Sequence, residues 1–151
     1  MRLADQIQDD LKEALKTKDE IKISTLRMLI AAIKNFEISK GKAGYKASDE
    51  EIVSVIQKEV KQRKESVEQY KAGNRQDLVD KESKELEILA KYLPAQMSEE
   101  NVEKIVREKI QEVGAVSSAD VGKVMGVLSQ ELKGKADLGL VSAIVKRSLE
   151  S

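Results

Sequence analysis

The chain has 151 residues, with 27 basic and 27 acidic side chains and neither histidine nor cysteine. A net charge of zero gives no global pull toward nucleic acid or an anionic membrane, so any binding surface must be a local patch. Without cysteine or histidine there are no disulfides, no thiol chemistry, no common zinc ligand set and no imidazole base. The simplest enzyme templates are thereby removed, catalysis by Asp, Glu, Lys or Ser stays open, and no cofactor or metal is implied.

Hydrophobic residues make up 40% of the chain and aromatics only 3%. Such a core must be aliphatic, which suits a helix bundle better than a sandwich or barrel. The N-terminal stretch MRLADQIQDDLKEAL has no apolar h-region of the kind a secretory signal needs. The longest apolar run, MLIAAI at 28–33, is far short of the ~18 residues that span a bilayer. The expectation is a soluble, cytoplasmic, all-α protein.

Apolar residues recur at spacings of three and four. Leu3, Ile7, Leu11 and Leu15 predict a first helix. Ile23, Leu26, Ile30 and Ile33, widened by Leu29 and Phe36, predict a second. GKAGYKAS at 41–48 breaks the pattern with two glycines. Ser48 followed by Glu51 reads as a capping box and starts a third helix with Val53, Ile56, Val60 and Val67 facing in. Gly73 is the expected stop and Asn74 the expected next N-cap. A fourth helix carries Leu78, Glu82, Leu86, Leu89 and Leu93. Glu82 interrupts this stripe, and a half-buried carboxylate needs a partner, for which Arg75 or Arg27 is available.

KYLPAQMSEE follows, with Pro94 the single proline. Proline lacks an amide donor and biases the residue before it away from helical geometry. The domain boundary is placed near 94–98, giving an N-terminal four-helix part, 1–94, and a three-helix C-terminal part, 95–151. In the latter, Ser98 is the expected cap of a helix with Val102, Ile105, Val106 and Ile110, closed by Gly114. Ser117 or Ser118 caps the next, with Val121, Val124, Leu128 and Leu132, closed by Gly134. Asp137 caps the last, with Leu138, Val141, Ile144, Val145 and Leu149.

The stretch GKVMGVLSQELKGKADLGLV, 122–141, places glycine beside lysine, as phosphate loops do. Gly134 and Gly139 have the Walker A glycine spacing, but Leu140-Val141 stands where Lys-Ser/Thr is required and a helix precedes it, so a nucleotide loop is excluded. Two readings remain. In the structural one, Gly122 and Gly126 permit close approach of a neighbouring helix, Gly134 ends one helix and Asp137 caps the next. In the functional one, the start of the last helix, with Gly139 leaving it bare and Lys123, Lys133 and Lys135 nearby, holds a backbone phosphate. Asp137 stands against the second, because its carboxylate would take the anion's place. Clustering of these lysines with Lys146 and Arg147 on one face would favour RNA contact.

Elsewhere, KEVKQRK at 58–64 places Lys58, Lys61 and Lys64 on one helix side, with Arg63 pointing elsewhere. Glu65 and Glu68 lie among the lysines, which reads as a solvated mixed-charge face. A second basic run, Lys34, Lys40, Lys42 and Lys46, surrounds the 41–48 loop with Glu37 opposing it. It can contact a polyanion or be a flexible, solvated loop. Most acidic clusters lie in first helical turns, where they complement the helix dipole.

LRMLIAAIKNFEI, EVKQRKES, GNRQDL with Glu82, EILAKYLPAQMS and GKVMG…LKGKADLGLV occur in this order. Together they resemble the GatB/YqeY family, the small YqeY-like proteins, over nearly the whole chain. The resemblance implies a two-part helical protein. Its C-terminal part is similar to the tail domain of the B subunit of the glutamyl/aspartyl-tRNA amidotransferase, a tail associated with tRNA contact. Related domains on some glutaminyl-tRNA synthetases help hold tRNA. The matching positions are Gly122, Met125, Gly126, Gly134, Asp137 and Val141 in the tail. In the N-terminal part they are Arg27, Lys34, Asn35, Lys61, Arg63, Ser66, Arg75, Asp77 and Glu82. Leu138-Gly139-Leu140 departs from the pattern, since many tails have glycine directly after the aspartate.

What the resemblance carries over is an accessory tRNA- or RNA-binding role, with Lys123, Lys133, Lys135, Lys146, Arg147, Lys34, Lys61, Arg63 and Arg75 as the expected RNA contacts and no catalytic residue. Carbon–nitrogen ligase activity with glutamine as amide donor belongs to other domains of the amidotransferase. The tail from 95 to 151 has 8 basic against 9 acidic residues, so RNA binding is expected to be weak and strongly salt-dependent. The alternative is a protein-interaction adaptor of translation or tRNA metabolism that uses an apolar groove between the two helical parts. No membrane partner is expected.

Overall fold

A computed structural model describes residues 2–150. Among them the regular structure is entirely helical, and the chain divides into two compact units, Met1–Leu93 and Pro94–Ser151.

The first unit holds α1 (Leu3–Thr17), α2 (Glu20–Ser39), α3 (Asp49–Ala72) and α4 (Gln76–Ala90). Its boundaries follow from local chemistry. The Asp19 side chain accepts the Lys22 N–H at 3.2 Å and caps α2. The Ser48 hydroxyl accepts the Glu51 N–H at 3.2 Å while the Glu51 carboxylate accepts the Ser48 N–H at 3.1 Å, the reciprocal capping box that the sequence predicts for α3. The end of α3 differs from expectation. Asn74, not Gly73, takes the left-handed conformation, with φ 56° against −88°. The Arg75 N–H then reaches the Tyr70 carbonyl at 2.9 Å, closing the last turn. Asparagine carries a Cβ but tolerates this region better than most residues, because its short polar side chain can hydrogen-bond locally. The N-cap of α4 is therefore Arg75, which supplies no side-chain cap.

Ile7, Leu26, Leu29, Ile33, Ala47, Ile52, Ile56 and Leu89 form the core of this unit. Each large aliphatic side chain removed from water contributes about 1.5–3 kcal/mol. Expected core positions shift on three helices. On α3, Ile52 is fully buried in place of Val53, which is half-buried and outside the core. Ala14 is buried in place of Leu15, which is 45% exposed. On α4 the innermost residues are Val79, Glu85 and Leu89, with Leu78, Glu82 and Leu86 half-buried, so the buried stripe is rotated around the helix.

The second unit holds α5 (Glu99–Val113), a 3-10 turn at Ser118–Asp120, α6 (Val121–Glu131) and α7 (Leu138–Leu149) around Val102, Val106, Val124, Leu128, Leu132, Val141, Ile144, Val145 and Leu149. Ser98 caps α5 by accepting the Asn101 N–H at 3.2 Å. Gly114 closes α5 at φ 71°. Ser117 opens the 3-10 turn rather than α6 itself. There the Asp120 carboxylate accepts the N–H groups of Val116 (2.9 Å) and Ser117 (3.3 Å), and the first of these bonds is the main reason its acidity is raised. Between α6 and α7, Gly134 is left-handed at φ 79°. The segment that opens the unit is tied to this connection. The Met97 N–H donates to the Lys135 carbonyl at 2.9 Å, and the Gln96 amide donates to the Gly134 carbonyl at 2.8 Å.

Candidate RNA-contact surface and its charged surroundings

The glycine-rich stretch resolves mainly into helix termini. Asp137 Oδ1 accepts the Gly139 N–H at 3.0 Å, so the start of α7 already holds a carboxylate where a bound anion would sit. A Cβ on Gly139 would lie 3.3 Å from that same oxygen, so the glycine gives the cap its room. Gly122 and Gly126 correct the structural reading. Both are exposed, and a Cβ at either would meet nothing within 4 Å, so no neighbouring helix packs on them.

The expected tail contacts are all exposed, but not in one place. Lys123 lies in the first turn of α6, whereas Lys133 and Lys135 lie beyond its last. The stretch of α6 after Lys123, residues 124–131, sets it apart from them by about 12 Å of helical rise. Lys133 and Lys135 flank Gly134, whose carbonyl and that of Lys135 are held by Gln96 and Met97. On α7 the Arg147 guanidinium is engaged by Glu103 at 3.0 Å, a carboxylate that also takes Arg107 at 3.6 Å. Lys146 and Lys135 have no ion-pair partner among the described residues. Sequence reasoning missed Lys109, which joins α5 to α6 by donating to Glu131 at 2.9 Å and to Glu112 at 3.1 Å; these bonds, Glu131 first, raise its pKa.

In the N-terminal unit, Arg63 does not belong to the RNA-contact set. It is 6% exposed. Its guanidinium bonds Glu59 at 2.7 Å and Glu85 at 3.4 Å, stands 4.0 Å from Glu82, and meets Met28 Sδ at 3.9 Å. A phosphate cannot reach it without displacing these carboxylates. Arg63 is thus the partner of Glu82, in place of Arg75 or Arg27. Arg75 is exposed and paired instead with Asp77 at 3.3 Å, which raises the arginine's pKa and lowers the aspartate's. Burial, followed by the neighbouring Glu85, raises the Glu82 pKa. Among the described residues no carboxylate cluster has metal-holding geometry. Lys34 and Lys61 are exposed, on α2 and α3 respectively.

The 40–48 loop is anchored. Tyr45 donates its hydroxyl to the Glu51 carboxylate at 2.6 and 2.8 Å, and the Ala47 N–H donates to Glu37 at 2.7 Å. Arg2 donates to the Ala47 carbonyl at 3.2 Å. Lys40 separates from its basic run. It pairs with Glu51 at 3.6 Å and lies 4.9 Å above the Phe36 ring. The Tyr45 hydrogen bond, then the Ser48 N–H, hold the Glu51 carboxyl down to about 2.

A family model described as Yqey-like protein matches residues 4–149. Among curated proteins, the chain is 32% identical over 149 residues to Altered inheritance of mitochondria protein 41, mitochondrial, of Vanderwaltozyma polyspora, covering 93% of this chain and 79% of the relative. It is 31% identical over 136 residues to the protein of that name from Pyrenophora tritici-repentis, covering 87% and 71%. The Saccharomyces cerevisiae protein of that name is 40% identical over 88 residues, 58% of this chain; the match spans 46% of that relative, slightly less than half its length. Among the described residues no helix is long and apolar enough to cross a membrane.

Proposed function

Because the chain belongs to the Yqey-like protein family, matched over residues 4–149, we propose that it is a non-catalytic, accessory RNA-binding helical protein of tRNA metabolism. The observation that supports the reading best is the presentation of Lys133 and Lys135. Both are exposed, on a connection whose backbone is fixed by hydrogen bonds from Gln96 and Met97. A fixed backbone sets where the two flexible lysine stems start, which lowers the backbone ordering cost of meeting a phosphate backbone. Lys123 stands in the first turn of α6, at its other end, so contact would run along a strand rather than at one phosphate.

The test is an anisotropy titration of the full chain with unfractionated tRNA at about 50 and 200 mM salt. Binding at the lower salt that collapses at the higher is expected. Lys133→Glu with Lys135→Glu should then weaken it strongly. Absence of binding at about 50 mM salt removes the reading.

A protein partner is the second reading, favoured by the exposed Gly122 and Gly126 backbone on α6, which nothing in the tail covers. A pulldown that recovers protein without RNA would select it.

A further inference from the structure

We propose that the N-terminal unit binds a small phosphate-bearing anion in the hollow between α1, the end of α2 and the 40–48 loop. The inference does not rest on the RNA reading, which concerns the tail.

Two clefts meet there. One, of about 320 Å³, is lined by Arg2, Lys34 and Lys46 over the apolar side chains of Ile7, Ile30 and Ile33. The other, of about 370 Å³, is lined by Lys34, Lys42 and Lys46 together with Gly41 and Gly44. Both volumes fall in the range of small-molecule sites, which run from roughly 300 to 1,000 Å³. Lys34, Glu37 and Lys46 line both clefts, so the two share a wall.

The charge balance favours an anion. Arg2, Lys34, Lys42 and Lys46 face the hollow against Asp5 and Glu37. Glu37 is already committed to the Ala47 N–H at 2.7 Å. Among the described residues Lys34, Lys42 and Lys46 have no ion-pair partner. This contrasts with Lys40 of the same run, which Glu51 neutralises at 3.6 Å. The first cleft carries Arg2, Lys34 and Lys46 against Asp5 and Glu37, and the second Lys34, Lys42 and Lys46 against Glu37, so positive charge exceeds negative in both. The surplus is one positive charge in the first cleft and two in the second, and the second matches a dianion better than a monocarboxylate. The Arg2 guanidinium holds the Ala47 carbonyl through one Nη at 3.2 Å and has its remaining N–H groups for phosphate oxygens.

The hollow is pre-shaped. Ala47 is 2% exposed, and its carbonyl accepts from Arg2, its N–H donates to Glu37 and Tyr45 donates to Glu51, which pins the loop at its C-terminal end. At the loop's apex, Gly41 and Gly44 are left-handed at φ 69° and 75°, with no atom within 4 Å of where a Cβ would stand, so the mouth stays open. The apolar floor suits the body of an organic phosphate. A single RNA phosphodiester, carrying one charge on an extended strand, fits the concavity less well.

The test is an amide NMR titration of the full chain with inorganic pyrophosphate at low salt. Saturable shifts confined to residues 2–8 and 33–47 are expected. Lys34→Ala with Lys46→Ala should weaken binding at least about tenfold with an unchanged circular dichroism spectrum. Lys58→Ala, an exposed lysine on α3, should leave it unchanged. An excess of tRNA should leave the hollow's shifts in place. No saturation by about 10 mM pyrophosphate, shifts spread over lysines generally, equal weakening by Lys58→Ala, or displacement by tRNA would each overturn the proposal. The tRNA anisotropy titration reports on the tail independently of all four.

Discussion

Arg63 on α3 and Glu85 on α4 meet at 3.4 Å in the interior of the N-terminal unit, and each stands eleven residues from Asn74. The left-handed Asn74 folds the two helices back on one another, and residues equidistant from it come face to face. Glu59 and Glu82 join the same guanidinium, so one buried cation answers three carboxylates. Removing the cation leaves those charges uncompensated. Arg63→Met is expected to cost about 3–5 kcal/mol, read as a lower urea midpoint. Arg63→Lys keeps the charge but not the planar fork that serves several carboxylates, so it should fall between the two.

Glu82 gives the same cluster a pH dependence of definite sign. Burial and Glu85 raise its pKa above the ordinary 4.5. A raised carboxyl favours the protonated folded form. Its contribution to stability is complete below the ordinary value and is lost as pH rises through the raised one. Glu82→Gln removes that loss. Urea melts across pH should show a flatter profile on this limb, with the variant at least as stable as the parent at neutral pH. A variant clearly less stable there would count against the assignment.

Glu51 has the opposite sign. Its carboxyl is held at about 2 against an ordinary 4.5, first by the Tyr45 hydroxyl. Its contribution is present above 4.5 and lost as pH falls toward 2. Tyr45→Phe removes the largest cause, so a carboxyl NMR titration of the variant should find Glu51 moved back up. The first signs of acid unfolding should appear at higher pH.

Two glycines of one stretch should respond oppositely to alanine. Gly126 sits within α6, exposed, with open space where a Cβ would go. Gly126→Ala is therefore expected to stabilise by about 0.5–1 kcal/mol. Gly134 holds φ 79°. Gly134→Ala forces an L-residue into the left-handed region and should destabilise by about 1–2 kcal/mol. Thermal melts of the pair measure both.

These sites also mark what the sequence made legible. Ser48, Ser98, Gly114 and Asp137 act within four residues of themselves, and each occupies the terminus that its type and spacing indicate. The choice between Gly73 and Asn74 depends on how one turn closes, and composition favoured the wrong residue. Arg63 was hidden because Glu82 and Glu85 lie across a helical hairpin; the i,i+4 spacing to Glu59 and symmetry about the turn at 74 were the available signals. Glu85, at 3.4 Å from the arginine, lies deeper than Glu82 at 4.0 Å, and that rank depends on the same pairing across the hairpin. The tail lysines are adjacent in a glycine-rich stretch, yet the length of α6 alone sets Lys123 apart from Lys133 and Lys135. The unpaired state of Lys34, Lys42 and Lys46, against the neutralised Lys40, is a matter of where Glu51 points, which spacing does not encode.

The bonds from Gln96 and Met97 to the α6–α7 connection fix where the tail begins as a physical object. Residues 94–97 have no regular structure of their own, but they are stitched to Gly134 and Lys135. A fragment cut at Ser98 would keep every helix of the tail and still lose the struts that hold its two adjacent lysines in place. Limited proteolysis should therefore spare Gln96 and Met97, and a tail truncated at Pro94 should melt higher than one truncated at Ser98.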